Sequence, residues 1–199
     1  MEFYDVINSR RTIREFESKA IPQDALRRIL DAGLKAPSSD HLRQWAPVVL
    51  TERAAIEAVA QEIRPYPDNI AHPATPQQEM FKIAFPRQRS MLAEAGCLIL
   101  PYFKQTASLY KPENVFILIN YGATWALVEN MLLAATAEGL GAAIHIPCGA
   151  EPDAIQRIIK APAGYVLPTL IAVGYPAAAA QTPTQVSATV EEKVHWNRW

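Results

Sequence analysis

Arg10, Arg11 and Arg14 stand within five residues of one another in Ser9-Arg10-Arg11-Thr12-Ile13-Arg14-Glu15-Phe16, with the Thr12 hydroxyl among them. Planar guanidinium groups grip phosphate oxygens through paired N–H donors, and a threonine hydroxyl adds one further donor to the same anion. A charge run is ordinarily a solvated face. The rest of the chain argues for a ligand instead. Net charge is only -1 over 199 residues, so no broad basic field exists to hold nucleic acid or an anionic membrane. Positive charge that is local suits a small anion.

The second stretch with chemical content is Ala36-Pro37-Ser38-Ser39-Asp40-His41-Leu42-Arg43-Gln44-Trp45, a proline followed by hydroxyl, imidazole, guanidinium and amide side chains. By propensity alone it is a helix end followed by an N-cap turn. Elsewhere the reactive side chains are scattered. His72, His145 and His195 keep no ligand spacing to one another or to a pair of carboxylates, so no metal centre is expected. Cys97 and Cys148 lie in apolar runs without CxxC spacing, which argues against a disulfide framework and fits a reducing compartment. Cys148 precedes Gly149, but no paired histidine is evident, and an inert thiol is the commoner state.

The apolar pattern outlines the scaffold that must position these groups. Helices are expected over residues 2–8 and 22–35; in the second, proline opens the turn and Leu26, Ile29, Leu30 and Gly33 share a face. Residues 47–51 are rich in β-branched side chains and read as a buried strand, followed by an alanine-rich helix over 52–63. Residues 64–78 hold Pro65, Pro67, Pro73 and Pro76 and read as a loop or lid over a site. Strands are expected at 97–103, 142–146 and 169–173, with a helix over 152–160.

Residues 115–137 are apolar nearly throughout, yet Asn120, Glu129 and Asn130 interrupt them. A carboxylate in mid-span costs about 3 kcal/mol even on a lenient insertion scale. The segment is therefore a central core helix, or one shared with a partner subunit, and Gly139-Leu140-Gly141 stops it. This Gly-x-Gly is no dinucleotide loop: the third glycine is missing and the order helix, glycines, strand is reversed. Helices and strands interleave around one sheet in a single domain, so the class is α/β or α+β. Residues 176–199 have no core of their own but close on His195-Trp196-Asn197-Arg198-Trp199, which describes an extended arm with an aromatic end that docks on a surface. Met1-Glu2-Phe3-Tyr4-Asp5 has no basic-to-apolar leader, and a cytoplasmic location is expected.

The stretches at 9–16 and 36–45 resemble the flavin-binding part of the nitroreductase family, whose members often carry Arg-Arg-Ser-x-Arg-x-Phe and then Ala-Pro-Ser-x-x-Asn-x-Gln-Pro-Trp. Short members often end in His-x-Asn-Lys/Arg-Trp, similar to 195–199. The resemblance implies an α+β fold of three layers (α/β/α) with a central mixed sheet, a core over 1–175, and a C-terminal arm reaching the partner subunit. It implies a homodimer with FMN at the subunit interface. It also implies ping-pong transfer of hydride from NADH or NADPH through FMN to an electron-poor acceptor such as a nitroaromatic or quinone, with no catalytic side chain.

On the same resemblance, Arg10, Arg11, Thr12 and Arg14 are cofactor contacts. The first arginine and the hydroxyl hold the phosphate, while Arg14 approaches the pyrimidine edge, where a cation stabilises the charge that appears on reduction. Pro37, Ser38, Ser39 and His41 bind the flavin of the opposite subunit. His41 takes the family's usual Asn position, Arg43 the Gln position and Gln44 the Pro position, while Trp45 is retained. A main-chain amide among Ile144, His145, Ile146 and Pro147 faces flavin N5. Arg198 is open to two readings, a surface charge or a phosphate contact. The altered 40–44 loop leaves room for dehalogenation, flavin fragmentation or dehydrogenation, and a flavin-sequestering protein without useful turnover is the alternative outside enzymes.

Overall fold

The computed structural model describes residues 2–67, 69–105 and 118–199. Strands β1 (Trp45–Leu50), β2 (Cys97–Lys104), β3 (Gly141–His145), β4 (Tyr165–Val166) and β5 (Leu170–Gly174) form one sheet in the order β1-β2-β5-β3, with β4 also paired to β2. The ladders between these strands are antiparallel. A parallel bridge between Thr12 and Ala142 lays the basic segment along β3 and supplies the mixed element of the sheet.

Central β2 is buried from Cys97 to Phe103 because its side chains alternate between two apolar layers. Cys97 and Ile99 pack with Leu26, Ile29, Leu127 and Met131, from α2 (Gln23–Leu34) and α6 (Ile119–Ala137). Leu98 and Leu100 pack with Ile56, Met91, Leu92 and Ile155, from α3 (Arg53–Gln61), α5 (Ser90–Glu94) and α7 (Glu151–Ile159). This is the expected three-layer α+β arrangement.

Helix α6 is apolar on all sides, with Leu127, Val128 and Met131 buried and Tyr121, Ala126 and Leu132 only partly covered. Residues 115–117 of the expected helix lie outside the described residues. Its stop is as read: Gly139 takes φ 73°, which glycine adopts without strain, and the Leu140 N–H reaches back to the Ala135 carbonyl at 2.8 Å. Among the described residues, no helix is long and apolar enough to cross a membrane.

Four elements differ from the sequence expectation. The loop expected to run to residue 78 ends at Pro76, where α4 (Pro76–Ala84) begins. The Thr75 hydroxyl accepts the Gln78 N–H at 3.2 Å and the Gln78 side chain accepts the Ala74 N–H at 2.7 Å, a cap whose Thr-x-x-Gln signature the dense prolines obscured. Helix α5 and the two-residue β4 are too short to carry a period. The arm is extended over most of its length, but turns once into α8 (Val190–Lys193) behind a Thr189–Glu192 capping box. Beyond it Trp196 and Trp199 are 75% and 101% exposed, so the aromatic end does not dock on its own chain. At the other terminus α1 (Phe3–Ser9) leads into the basic segment.

Candidate functional site

The basic segment is bound to the edge of the sheet through alternate residues. The Ile13 N–H donates to the Ala142 carbonyl at 3.0 Å and the Glu17 N–H to the Tyr175 carbonyl at 2.9 Å, while Phe16 is buried in the core. Gly141 makes the approach possible, because a Cβ there would meet Ile13 Cβ at 2.7 Å. Arg10, Arg11 and Thr12 consequently line a cleft of 280 Å³, closed by Trp125, Glu129 and Leu132 of α6 and by Ala142 to Ile144 of β3.

The three arginines are held differently. Arg10 Nε lies 3.6 Å from Glu129 Oε1 in a partly exposed pair, which is weak in water. Arg11 donates to the Asn8 and Arg10 carbonyls at 2.9 and 2.8 Å. Arg14 Nε and Nη1 are buried and, among the described residues, have no hydrogen-bond partner. Burial, and after it the neighbouring Arg87 charge, pushes the Arg14 guanidinium pKa down. Buried donors without an acceptor are costly, and an acceptor beside Nε and Nη1 would relieve that cost.

Glu15 does not supply that acceptor. Its Oε1 accepts from Arg87 Nη2 at 2.7 Å and its Oε2 from the Gln181 N–H at 2.8 Å. The Gln181 contact, then Arg87, holds the Glu15 carboxyl below its usual range. The same contact pins the arm, whose Thr182, Pro183, Thr184 and Gln185 enclose a 130 Å³ recess with Arg10, Arg11 and Thr12. Sequence reasoning did not identify these arm residues as site walls, since nothing in their types distinguishes them from linker.

The second block opens elsewhere. Pro37, Ser38 and Ser39 line a 690 Å³ apolar pocket with Leu118, Tyr121 and Ala126, so within one chain the two blocks face different pockets along α6. Asp40, His41 and Arg43 take φ of 49°, 53° and 46°, a region non-glycine residues rarely occupy. The Arg43 N–H donates to Ser38 Oγ at 3.1 Å and helps to hold the turn, with the His41 and Arg43 side chains exposed.

At the end of β3, Ile144 borders the basic cleft, Ile146 is exposed and Pro147 half-buried. The His145 ring is buried among polar partners. Its Nδ1 lies 2.8 Å from Gln88 Oε1 and its Nε2 2.9 Å from Glu151 Oε2. Sequence reading placed only the backbone here and missed Glu151, because a six-residue spacing across a turn is no recognised pattern. Cys148 is half-buried with its Sγ 3.3 Å from the Tyr66 hydroxyl, whereas burial pushes the Cys97 thiol up to about 12. Arg198 is exposed, and among the described residues no hydrogen bond or ion pair joins it to the cleft of its own chain.

The three-layer fold, with an arginine-walled cleft between a strand end and an apolar helix, defines the nitroreductase fold class. The chain belongs to the nitroreductase family, whose family model matches residues 7–175. It is 26% identical over 192 residues to an NADH dehydrogenase of Thermus thermophilus, covering 84% of this chain and 83% of that protein. It is 27% identical over 196 residues to the iodotyrosine deiodinase of Haliscomenobacter hydrossis, covering 92% and 82%. A solved iodotyrosine deiodinase bound to FMN and 3-iodo-L-tyrosine shares the fold at a TM-score of 0.76 and 21% identity, covering 100% of both chains.

Proposed function

We propose that this chain is an FMN-dependent oxidoreductase that takes hydride from NADH or NADPH and passes the electrons to an electron-poor acceptor such as a nitroaromatic or quinone. The observation that carries the reading is the cleft walled by Arg10, Arg11 and Thr12 beside Trp125 and Ile144, with half-buried Arg14 two positions on in sequence, whose Nε and Nη1 have no partner among the described residues.

The residues fit the cofactor group by group. Arg10, Arg11 and Thr12 offer the clustered donors a terminal phosphate needs. Trp125, Val128, Leu132 and Ile144 offer apolar wall to a flat ring system. Arg14 offers a cation to a polar ring edge. FMN, when bound, supplies the two-electron chemistry. Arg14 stabilises negative charge wherever it develops beside it, and its burial strengthens that effect because little water screens it. Arg10 leaves its loose pair with Glu129 at little cost when a phosphate is offered. Pro37, Ser38, Ser39 and His41 complete the site from a second subunit in a homodimer, which accounts for the two blocks facing different pockets of one chain. Arg198, absent from its own chain's cleft, belongs with the arm in that assembly.

A second acceptor class, halogenated aromatics, is favoured by iodotyrosine deiodinases at 24% to 28% identity among the relatives. The test is the visible spectrum of the purified protein with and without added FMN, then with anaerobic NADH or NADPH, then with a nitroaromatic, a quinone or iodotyrosine. Flavin bands that bleach with reductant and return with one acceptor class support the reading and choose the substrate. A protein that stays colourless with FMN overturns it, and bound flavin without turnover identifies a sequestering protein.

A further inference from the structure

We propose that His145 is held as an imidazolium by Glu151 and Gln88, and that this buried pair is the positioning device for the Ile146–Pro147 segment, which follows the cleft-lining Ile144. The inference rests on the reading of the cleft as the FMN site and assigns a role to a side chain that reading does not use.

The protonation state follows from the acceptors. Gln88 Nε2 donates to the Ala84 carbonyl at 3.0 Å, which fixes the amide with Oε1 towards His145 Nδ1. On the other side of the ring Nε2 faces the Glu151 carboxylate. A neutral imidazole donates from one nitrogen only, so two facing acceptors require a proton on each. The neutral form would leave a lone pair against an oxygen in a dry site.

Glu151 is kept as an anion by its surroundings. Burial pushes its carboxyl up, but hydrogen bonds from the Cys148 N–H, from His145 and from the Arg64 N–H outweigh it, and the group sits below its usual range. The other groups near the ring are the Tyr66 ring, edge-on at 6.1 Å, the Cys148 thiol against the Tyr66 hydroxyl, and Arg64, whose guanidinium lies 4.7 Å over the Tyr66 ring. Among the described residues, Glu151 is the one carboxylate paired with the ring.

The positioning follows from where the bonds fall. One oxygen, Glu151 Oε2, binds both His145 Nε2 and the Cys148 N–H at 3.0 Å, while Thr169 Oγ1 donates to the His145 carbonyl at 2.9 Å. Ile146 and Pro147 are therefore bracketed on both sides. Ile146 is left 57% exposed next to Ile144, which borders the cleft. A segment fixed in this way presents its backbone in one geometry, and small misplacements of a reacting pair cost rate rather than binding.

The test has two readouts. Nitrogen-15 spectra of histidine-labelled wild-type protein at neutral pH are expected to show both His145 ring nitrogens protonated; a neutral tautomer overturns the proposal. In FMN-loaded protein, His145→Gln is expected to lower kcat per bound flavin about tenfold with KM for the reductant little changed. A merely structural role lowers the flavin-loaded fraction and leaves kcat per bound flavin as in wild type, which overturns the positioning claim. Should His145→Gln fail to load flavin, Gln88→Leu keeps the imidazole and Glu151, removes the Nδ1 acceptor together with the Gln88 bond to the Ala84 carbonyl, and carries the same comparison. A wild-type protein that binds no FMN refutes the cofactor reading, a separate result from a wild-type enzyme that turns over and an equally fast His145→Gln.

Discussion

Arg87 Nη2 sits 2.7 Å from Glu15 Oε1, so the carboxylate next to Arg14 in sequence is engaged by another guanidinium and Arg14 keeps an uncompensated charge. Glu15 serves Arg87, and among the described residues no acceptor meets Arg14 Nε or Nη1.

Replacing Arg14 should therefore act in opposite directions on stability and binding. Arg14→Met removes a buried group left without its hydrogen bonds, a relief of about 1 kcal/mol or more. That raises the melting temperature of the flavin-free protein by about 2–4 °C for a chain of this size. The same substitution should weaken FMN binding at least about tenfold, as loss of a charge-assisted hydrogen bond does. Thermal melts with and without FMN measure both, and a lower flavin-free melting temperature would show that Arg14 supports the fold instead.

Glu15 should act as a pH-sensitive latch on the arm. Its carboxyl is held below the usual value of 4.5, first by the Gln181 N–H and then by Arg87. A depressed carboxyl contributes stability in full above that usual value and loses it as pH falls through the lower folded value. Hydrogen exchange at Gln181 should accelerate on acidification, and Glu15→Gln should loosen the amide at pH 7. An exchange rate unaffected by the substitution would detach the arm from Glu15.

Gly141→Ala tests the seat of the basic segment. The new methyl would meet Ile13 Cβ, Cγ1 and Cγ2 at 2.7, 2.8 and 2.9 Å. Over-packing of this kind costs about 1–3 kcal/mol. Because Ile13 lies between Thr12 and Arg14, FMN affinity should fall with stability, as a fluorescence titration would read. Unchanged affinity in a destabilised variant would separate the cleft from this contact.

Breaking the His145 pair from the acid side should destabilise the protein strongly. Glu151→Ala leaves the His145 ring and the Cys148 and Arg64 N–H groups without their shared acceptor, which costs about 1–3 kcal/mol for a buried group left unsatisfied. In wild type the Glu151 contribution is present above the ordinary carboxylate range and is lost as pH falls through its lower folded value. Urea melts at several pH values should show this acid-side slope in wild type and a smaller one in Glu151→Gln.

The layers were legible because burial on both faces writes continuous apolar runs, as in Cys97 to Phe103 of β2 and along α6. Helix α4 was not, since its prolines pointed to loop while the cap at Thr75 carried the opposite message. Of the candidate site, the arginine cluster and the serine turn were visible as residue types. Their separation into two different pockets was implied only by the family resemblance, since nothing in the residue types themselves distinguishes the two.

By itself the sequence determined the alternation that builds the sheet, the helix stop at Gly139, and the presence of three local cations too few to form a field. It could not rank those cations, because Arg10, Arg11 and Arg14 are chemically the same. Only the tertiary structure decided that Arg14 is the one whose Nε and Nη1 are buried without a partner among the described residues, that Glu15 is engaged by residues 72 and 166 positions away, and that Gln88 and Glu151 converge on His145. Burial and hydrogen-bond partnership are set by elements packed together from distant parts of the chain, and no local window contains them.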